Sequence, residues 1–302
     1  MRFSSLDELV GLCGREGVTI GRLMLAEQAR ETDEPEAKVF GRMRDYYLVM
    51  KEAVRRGIEE APVSRSGLTG GDARRVRDYL GAGASSLGPE AGKAMAYALA
   101  VSEVNASMGR IVATPTAGSC GIIPGVFVSV QERFGWTDER MVYGLFSAGA
   151  IGYVIANNSF ISGAEGGCQA EIGSAVAMAA GALTELRGGT PEQAVHAVGL
   201  ALKNALGLIC DPVAGLVEVP CIVRNGFGAV TALAASDMAL AGVRSVIPSD
   251  EVIGVMLEVG SRMPEAYRET ARGGLARTPT GQKITQAIRL KEGMRYNGRN
   301  AF

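Results

Sequence analysis

Histidine is nearly absent from this sequence: His196 is the only one in 302 residues. A site built on several imidazoles is therefore excluded within the chain, and any serine–histidine or cysteine–histidine relay would rest on that residue alone. A surplus of one charge is missing too. With 31 Lys and Arg against 32 Asp and Glu the formal net charge is −1, unlike the basic excess of a nucleic-acid binder. The opening residues, MRFSSLDELVGLCGREG, carry acids early and no apolar core of a secretory signal, so a cytoplasmic protein is expected. Phosphate loops of the G-x-x-x-x-G-K-[ST] and G-x-G-x-x-G types do not occur. Lys203 is the one lysine of the apolar second half, and no phosphate cup accompanies it, which makes pyridoxal phosphate a poor fit. The uncharged stretch from Met141 to Ala164 is long enough to span a bilayer. Its glycines, Asn157, Asn158 and Ser162 instead indicate a buried helix running into a loop, and no membrane partner is expected.

What is present in excess is glycine, 41 residues, about twice the usual share of roughly 7%. Hydrophobic residues make up 47% and charged residues 21%, enough to bury a sizeable core. Helix follows helix. Ser5-x-x-Glu8 reads as a capping box before an amphipathic helix that holds Cys13. Phe40, Met43, Tyr47, Met50 and Val54 recur at helical spacing between Pro35 and Gly57. Pro89 opens an alanine-rich run to about Met108, Thr137 opens the uncharged helix, and Ser249-Asp250-Glu251 begins another. Thr190-Pro191-Glu192-Gln193 gives a cap, an N1 proline and a capping-box glutamine before a helix to about Leu208. Ile172–Leu183 and Ala229–Ala241 are apolar nearly all round, so 90–260 should form the centre of the fold. Ile122–Ile123 and Ile222–Val223 are too short to found a sheet. The class is all-α, a single helical domain over 1–302 with a polar, basic tail from 273 onward.

Four loops between helices combine glycines with hydroxyls or carboxylates: Ser64–Asp72, Ala113–Gly121, Gly163–Glu171 and Cys210–Cys221. Glycine there lets backbone N–H groups face a ligand, although each loop alone is equally a helix cap and turn. Cys168, Cys210 and Cys221 are spaced C-x41-C-x10-C, not the C-x2-C of a zinc finger. Each is expected at a helix start or stop, where the helix dipole favours a thiolate. Three such thiolates can hold a [4Fe–4S] cluster with one iron open as a Lewis acid, or they are three inert buried thiols. His196, on an apolar helix, reads as a satisfied core residue.

The segments SGLTGGDA (Ser66–Ala73), ATPTAGSCGIIPG (Ala113–Gly125), GAEGGCQAEIGSA (Gly163–Ala175), CDPVAGLVEVPCIVRN (Cys210–Asn225) and GGLARTPTG (Gly273–Gly281) carry a more specific signal. Through them the chain resembles the catalytic α subunit of the bacterial iron–sulfur-dependent L-serine dehydratases, in the form whose α and β subunits are separate polypeptides. The resemblance implies an all-helical catalytic domain and a [4Fe–4S] cluster on Cys168, Cys210 and Cys221, with no ligand role for Cys120. It implies a separate β subunit and a small amino-acid substrate, L-serine, converted to pyruvate and ammonia. Some single-chain members block the open iron with a C-terminal cysteine; here the sequence ends Asn300-Ala301-Phe302. Expulsion of hydroxide from Cβ needs an acid and removal of the Cα proton needs a base. Glu165 and Asp211, beside the cysteines, are candidates for that base, or else helix caps. Ser66, Gly67, Thr114, Thr116 and Ser119 are candidates for holding the substrate. Arg224 either anchors a carboxylate or pairs with Asp211. An iron–sulfur L-cysteine desulfidase, and a non-catalytic cluster-bearing subunit, are the alternatives.

Overall fold

Capping signals set most helix starts. In the computed structural model, which describes residues 1–83 and 85–299 and side chains as far as 291, thirteen α-helices follow one another. They are α1 (Leu6–Glu16), α2 (Ile20–Thr32), α3 (Glu36–Glu60), α4 (Asp72–Gly81), α5 (Pro89–Ala106), α6 (Ile122–Phe134) and α7 (Asp138–Asn158), then α8 (Gly163–Gly166), α9 (Ser174–Leu186), α10 (Pro191–Lys203), α11 (Cys221–Leu240), α12 (Ser249–Arg262) and α13 (Pro279–Arg299). No strand occurs among the described residues, only isolated bridges joining Val63 to Gly70 and Cys210 to Arg268. The all-α expectation holds.

At α10, Thr190 Oγ1 accepts from Gln193 N and Gln193 Oε1 accepts from Thr190 N, the reciprocal box expected from the sequence. At α1, Ser5 Oγ accepts from Glu8 N, but the return bond to Glu8 comes from Ser4 N. Helix ends were harder to place. α10 stops at Lys203 rather than near Leu208, and α11 starts at Cys221, about two turns before the apolar run Ala229–Ala241.

The centre is α9, whose side chains from Ser174 to Thr184 are all buried, with α6, α7, α10 and α11 packed around it. Small residues permit that closeness. A Cβ on Gly181 would stand 2.5 Å from Ile151 Cδ1, and one on Gly125 of α6 would stand 2.7 Å from the Ala98 nitrogen of α5. Helix axes thus approach more tightly than larger side chains allow. α7 ends at Asn158 and passes into a turn as expected. No helix among the described residues is long and apolar enough to cross a membrane. His196 is partly exposed; its Nδ1 accepts from Ser245 N at 3.3 Å, and burial with neighbouring Arg244 holds its pKa down.

The segment read as a tail has more structure than that. Gly274–Arg277 forms a 3-10 turn, and Thr278 Oγ1 accepts from Gly281 N to start α13 behind Pro279. The polar composition shows in its exposure, since no side chain from Gln282 to Lys291 is buried. Asn300-Ala301-Phe302 lies outside the described residues.

Candidate functional site

The cysteine-bearing loops meet where α9 and α11 begin. Cys168 precedes a single π turn, Gln169–Gly173, that feeds into α9. Gln169 locks this junction in three directions: its N donates to Leu208 O, its Oε1 accepts from Gly207 N, and its Nε2 donates to Met256 O. Cys210 is not at a helix terminus. Its N donates to Tyr267 O and its O accepts from Glu269 N, a short extended pairing with the segment after α12. Cys221 is the first residue of α11. All three are at most 5% exposed, and none is in a disulfide.

The sulfurs of Cys168 and Cys210 and a carboxylate oxygen of Glu171 lie within 4.8 Å of one another, a group able to hold a metal ion. Cys221 lies outside that set but close enough for the charge of Cys168, after burial itself, to push its thiol up to about 12. Two glycines let the backbone pack tightly against Glu171. A Cβ on Gly118 would stand 2.9 Å from its Oε2, and one on Gly163 would stand 3.0 Å from it and 2.9 Å from the Cys210 sulfur.

Burial is the largest influence on the Cys13, Cys120 and Cys221 thiols and pushes each up. Cys168 and Cys210 instead act as a pair: the hydrogen bond donated by the Cys210 thiol, with Arg224, draws the Cys168 pKa down, while the same bond and burial push Cys210 far up. Cys120 is wholly buried and pushed up to about 12. Arg224, one turn into α11, donates from Nη1 to Cys168 Sγ at 3.2 Å and to Ile209 O at 2.8 Å, and from Nη2 to Asp211 Oδ1 at 3.1 Å. Asp211 Oδ2 accepts from Leu275 N at 2.8 Å, so the segment read as a tail reaches the site. Asp211 is thus fully engaged, and of the two readings of Arg224 the structure shows the pair with Asp211.

Glu165 sits exposed in the first turn of α8 and is not part of the cysteine group. The carboxylate that is part of it, Glu171, was not singled out in the sequence. Burial raises its pKa, opposed by a hydrogen bond from the Thr116 hydroxyl. A signal existed, because Cys168 and Glu171 are three apart and three-apart residues share a helix face.

Thr114, Thr116 and Ser119 form one unit. Thr116 and Ser119 cap the turn Ala117–Ser119, and Ser119 Oγ donates to Thr114 O at 3.1 Å. Asn225 fastens this loop to α11, donating from Nδ2 to Gly118 O and to Cys221 O and accepting from Gly121 N. Thr114 Oγ1 is buried without a hydrogen-bond partner. Ser66 and Gly67 lie in a second unit, where Ser66 Oγ donates to Glu218 Oε2 at 3.1 Å. Gly67 turns the chain with φ of 78°, open to L residues only at a cost.

Residues 15–276 match the family described as "Serine dehydratase alpha chain". The chain is 50% identical over 286 residues to the probable L-serine dehydratase, alpha chain, of Bacillus subtilis (strain 168), covering 95% of each. It is 44% identical over 286 residues to the L-serine dehydratase, alpha chain, of Peptoniphilus asaccharolyticus, covering 95% of this chain and 98% of that one. Against the L-serine dehydratase of Streptomyces coelicolor it is 42% identical over 285 residues, 91% of this chain but only 60% of the longer relative. On this likeness over nearly its whole length, the chain belongs to the serine dehydratase alpha chain family, a family of enzymes.

Proposed function

We propose that this chain is the catalytic, cluster-bearing α subunit of a cytoplasmic L-serine ammonia-lyase that works with a separate β chain and releases pyruvate and ammonia. The observation that carries the reading is the convergence of buried thiols and one carboxylate at the meeting of three loops, in a chain of this family. Relatives named as alpha chains, covered almost end to end, support a separate β partner. Five free cysteines suit a reducing compartment.

The donor set fits a [4Fe–4S] cluster. Thiolates are soft ligands, and Cys168, Cys210 and Cys221 supply three from deeply buried positions. Gly163 lets the backbone pass close to the donor set, since a Cβ there would stand 2.9 Å from the Cys210 sulfur. A cluster held by these three thiolates would supply Lewis-acid chemistry for the loss of hydroxide. The chain's own residues do the rest. Arg224 balances the charge gathered on Cys168 and keeps Asp211 from standing alone. The loops at 66–67 and 114–119 hold the amino acid through hydroxyls and backbone N–H groups. Burial of the whole region excludes water from the reacting centre. Glu171, aligned by Thr116 at the cysteine group, is the carboxylate placed to take the Cα proton; Asp211 is occupied and Glu165 faces solvent.

Anaerobic purification of the α–β complex, followed by assay of pyruvate from serine and from cysteine, tests the reading. Turnover of serine with retained iron is expected; pyruvate and sulfide from cysteine alone would replace the lyase by a desulfidase. Glu171→Gln should lower kcat roughly a hundredfold to ten-thousandfold with iron retained, and Glu165→Gln should leave kcat within about twofold.

A further inference from the structure

Two buried carboxylates hold the Ser64–Asp72 loop, and they do different work. Glu103 of α5 takes the start of α4, its Oε1 accepting from Asp72 N at 2.6 Å and Ala73 N at 3.4 Å. Glu218, from the loop joining Cys210 to Cys221, is 5% exposed. Its Oε2 accepts from Ser66 Oγ at 3.1 Å and from Thr69 Oγ1 at 2.7 Å. Among the described residues no lysine or arginine forms an ion pair with it; both partners are neutral hydroxyls.

The loop does not need Glu218 for its own shape. Ser64 N donates to Thr69 O, Gly67 N to Ser64 O and Arg65 N to Ala106 O. Thr69 N donates to Ser64 Oγ and Leu68 N to Ser66 Oγ. What is left over is a negative charge withdrawn from water with no cation beside it. Such a charge is costly unless something of opposite sign arrives. An amino-acid substrate carries one cationic group, the α-ammonium, with three N–H donors. Glu218 Oε2 gathers Ser66 Oγ and Thr69 Oγ1 by one hydrogen bond each, Ser66 Oγ also accepting from Leu68 N and lying 3.2 Å from Ser64 Oγ; a hydroxyl oxygen has two lone pairs, so the group can accept from an N–H donor.

We propose that Glu218, with the hydroxyls of Ser66 and Thr69, forms the binding site for the α-ammonium of the amino-acid substrate, an assignment that rests on serine being that substrate. The carboxylate then supplies the charge, and the hydroxyls fix direction. The cost of burying Glu218 is offset when substrate is bound, which makes recognition of the ammonium specific: a ligand without it leaves the carboxylate as it was.

The iron-loaded α–β complex is the material for the test. Glu218→Gln keeps an oxygen for both hydroxyls but removes the charge. KM for serine should rise about tenfold to a hundredfold, with iron content unchanged and the thermal midpoint without substrate no lower than that of the unaltered complex. The inhibition constant of 3-hydroxypropanoate, which is serine without its amino group, should stay within about twofold. Thr69→Val, which leaves the carboxylate in place, should raise the serine KM by a smaller factor and provides the test if the glutamine variant does not fold. An unchanged serine KM, or equal weakening of serine and 3-hydroxypropanoate, overturns the proposal. If the unaltered complex makes no pyruvate from serine, the serine reading itself fails and this assignment falls with it; activity of that complex alongside an unaffected variant sinks this assignment alone.

Discussion

α9 and the turn that leads into it are equally buried and chemically opposite. From Ser174 to Thr184 the helix is surrounded by Ala, Val, Leu and Ile side chains, and withdrawal from water stabilises it. In the five residues before Gly173 the same burial encloses a thiol, an amide and Glu171, where it disfavours charge and must be answered group by group. Gln169 is answered by three backbone partners, Asp211 by Arg224 and Leu275, and Cys168 by the Cys210 thiol and Arg224. Glu171 is answered by the Thr116 hydroxyl and the Gly163 N–H but by no cation, and burial still holds its pKa up. One region spends burial on stability; the other uses it to raise the energy of groups that a ligand or a reaction then relieves.

That contrast is open to direct attack. The largest effect is expected from Cys210→Ala, which should abolish iron retention and cut activity by at least about a hundredfold, while the helical content by circular dichroism is kept because α9 does not depend on that thiol. Next comes Arg224→Met. It leaves Asp211 buried without its cation, so denaturant unfolding should show a loss of about 3–5 kcal/mol together with reduced iron on purification. On the core side, Gly181→Val drives a side chain toward Ile151 and Val198 and should cost about 1–3 kcal/mol with the iron count unaffected. Loss of iron in that variant would mean that core and site are not separable as described.

The smallest effect concerns Glu103. Burial raises its pKa, against the hydrogen bonds from Asp72 and Ala73, and its Oε2 is buried without a partner. A carboxyl whose folded pKa lies above its unfolded value adds stability that is full below the unfolded value and is lost as pH rises through the folded one. Glu103→Gln keeps an acceptor for both N–H groups and removes that dependence. Its thermal midpoint relative to the unaltered chain should therefore improve from pH 5 to pH 8; a constant difference would contradict the sign argued here.

Legibility in the sequence followed the same division. The apolar run around Ala177, the cap at Thr190 and the acidic first turn Ser249-Asp250-Glu251 behind Pro248 announce α9, α10 and α12 because burial, capping and helix-end charge are local rules. Thr278-Pro279 carried the same kind of start signal for α13, but glycines and polar residues around it suggested a tail. At the site, the three cysteines stood out by residue type. Glu171 and Glu218 did not, since a glutamate's role depends on which cation is missing beside it, and only the folded chain shows that Glu171 meets Thr116 and that Glu218 meets Ser66 and Thr69. Asp211 adjoins Cys210, and Glu165 is as near to Cys168 in sequence as Glu171 is, yet solvent takes Glu165 and Arg224 takes Asp211.

The central claim is that the three cysteines hold an iron–sulfur centre on which serine turnover depends. Iron and pyruvate should be counted together on the anaerobic α–β complex and on its Cys168→Ala, Cys210→Ala and Cys221→Ala variants. About four irons per α chain with serine-dependent pyruvate, both lost in every variant, is the predicted result. Full serine turnover by a variant that carries no iron would contradict it.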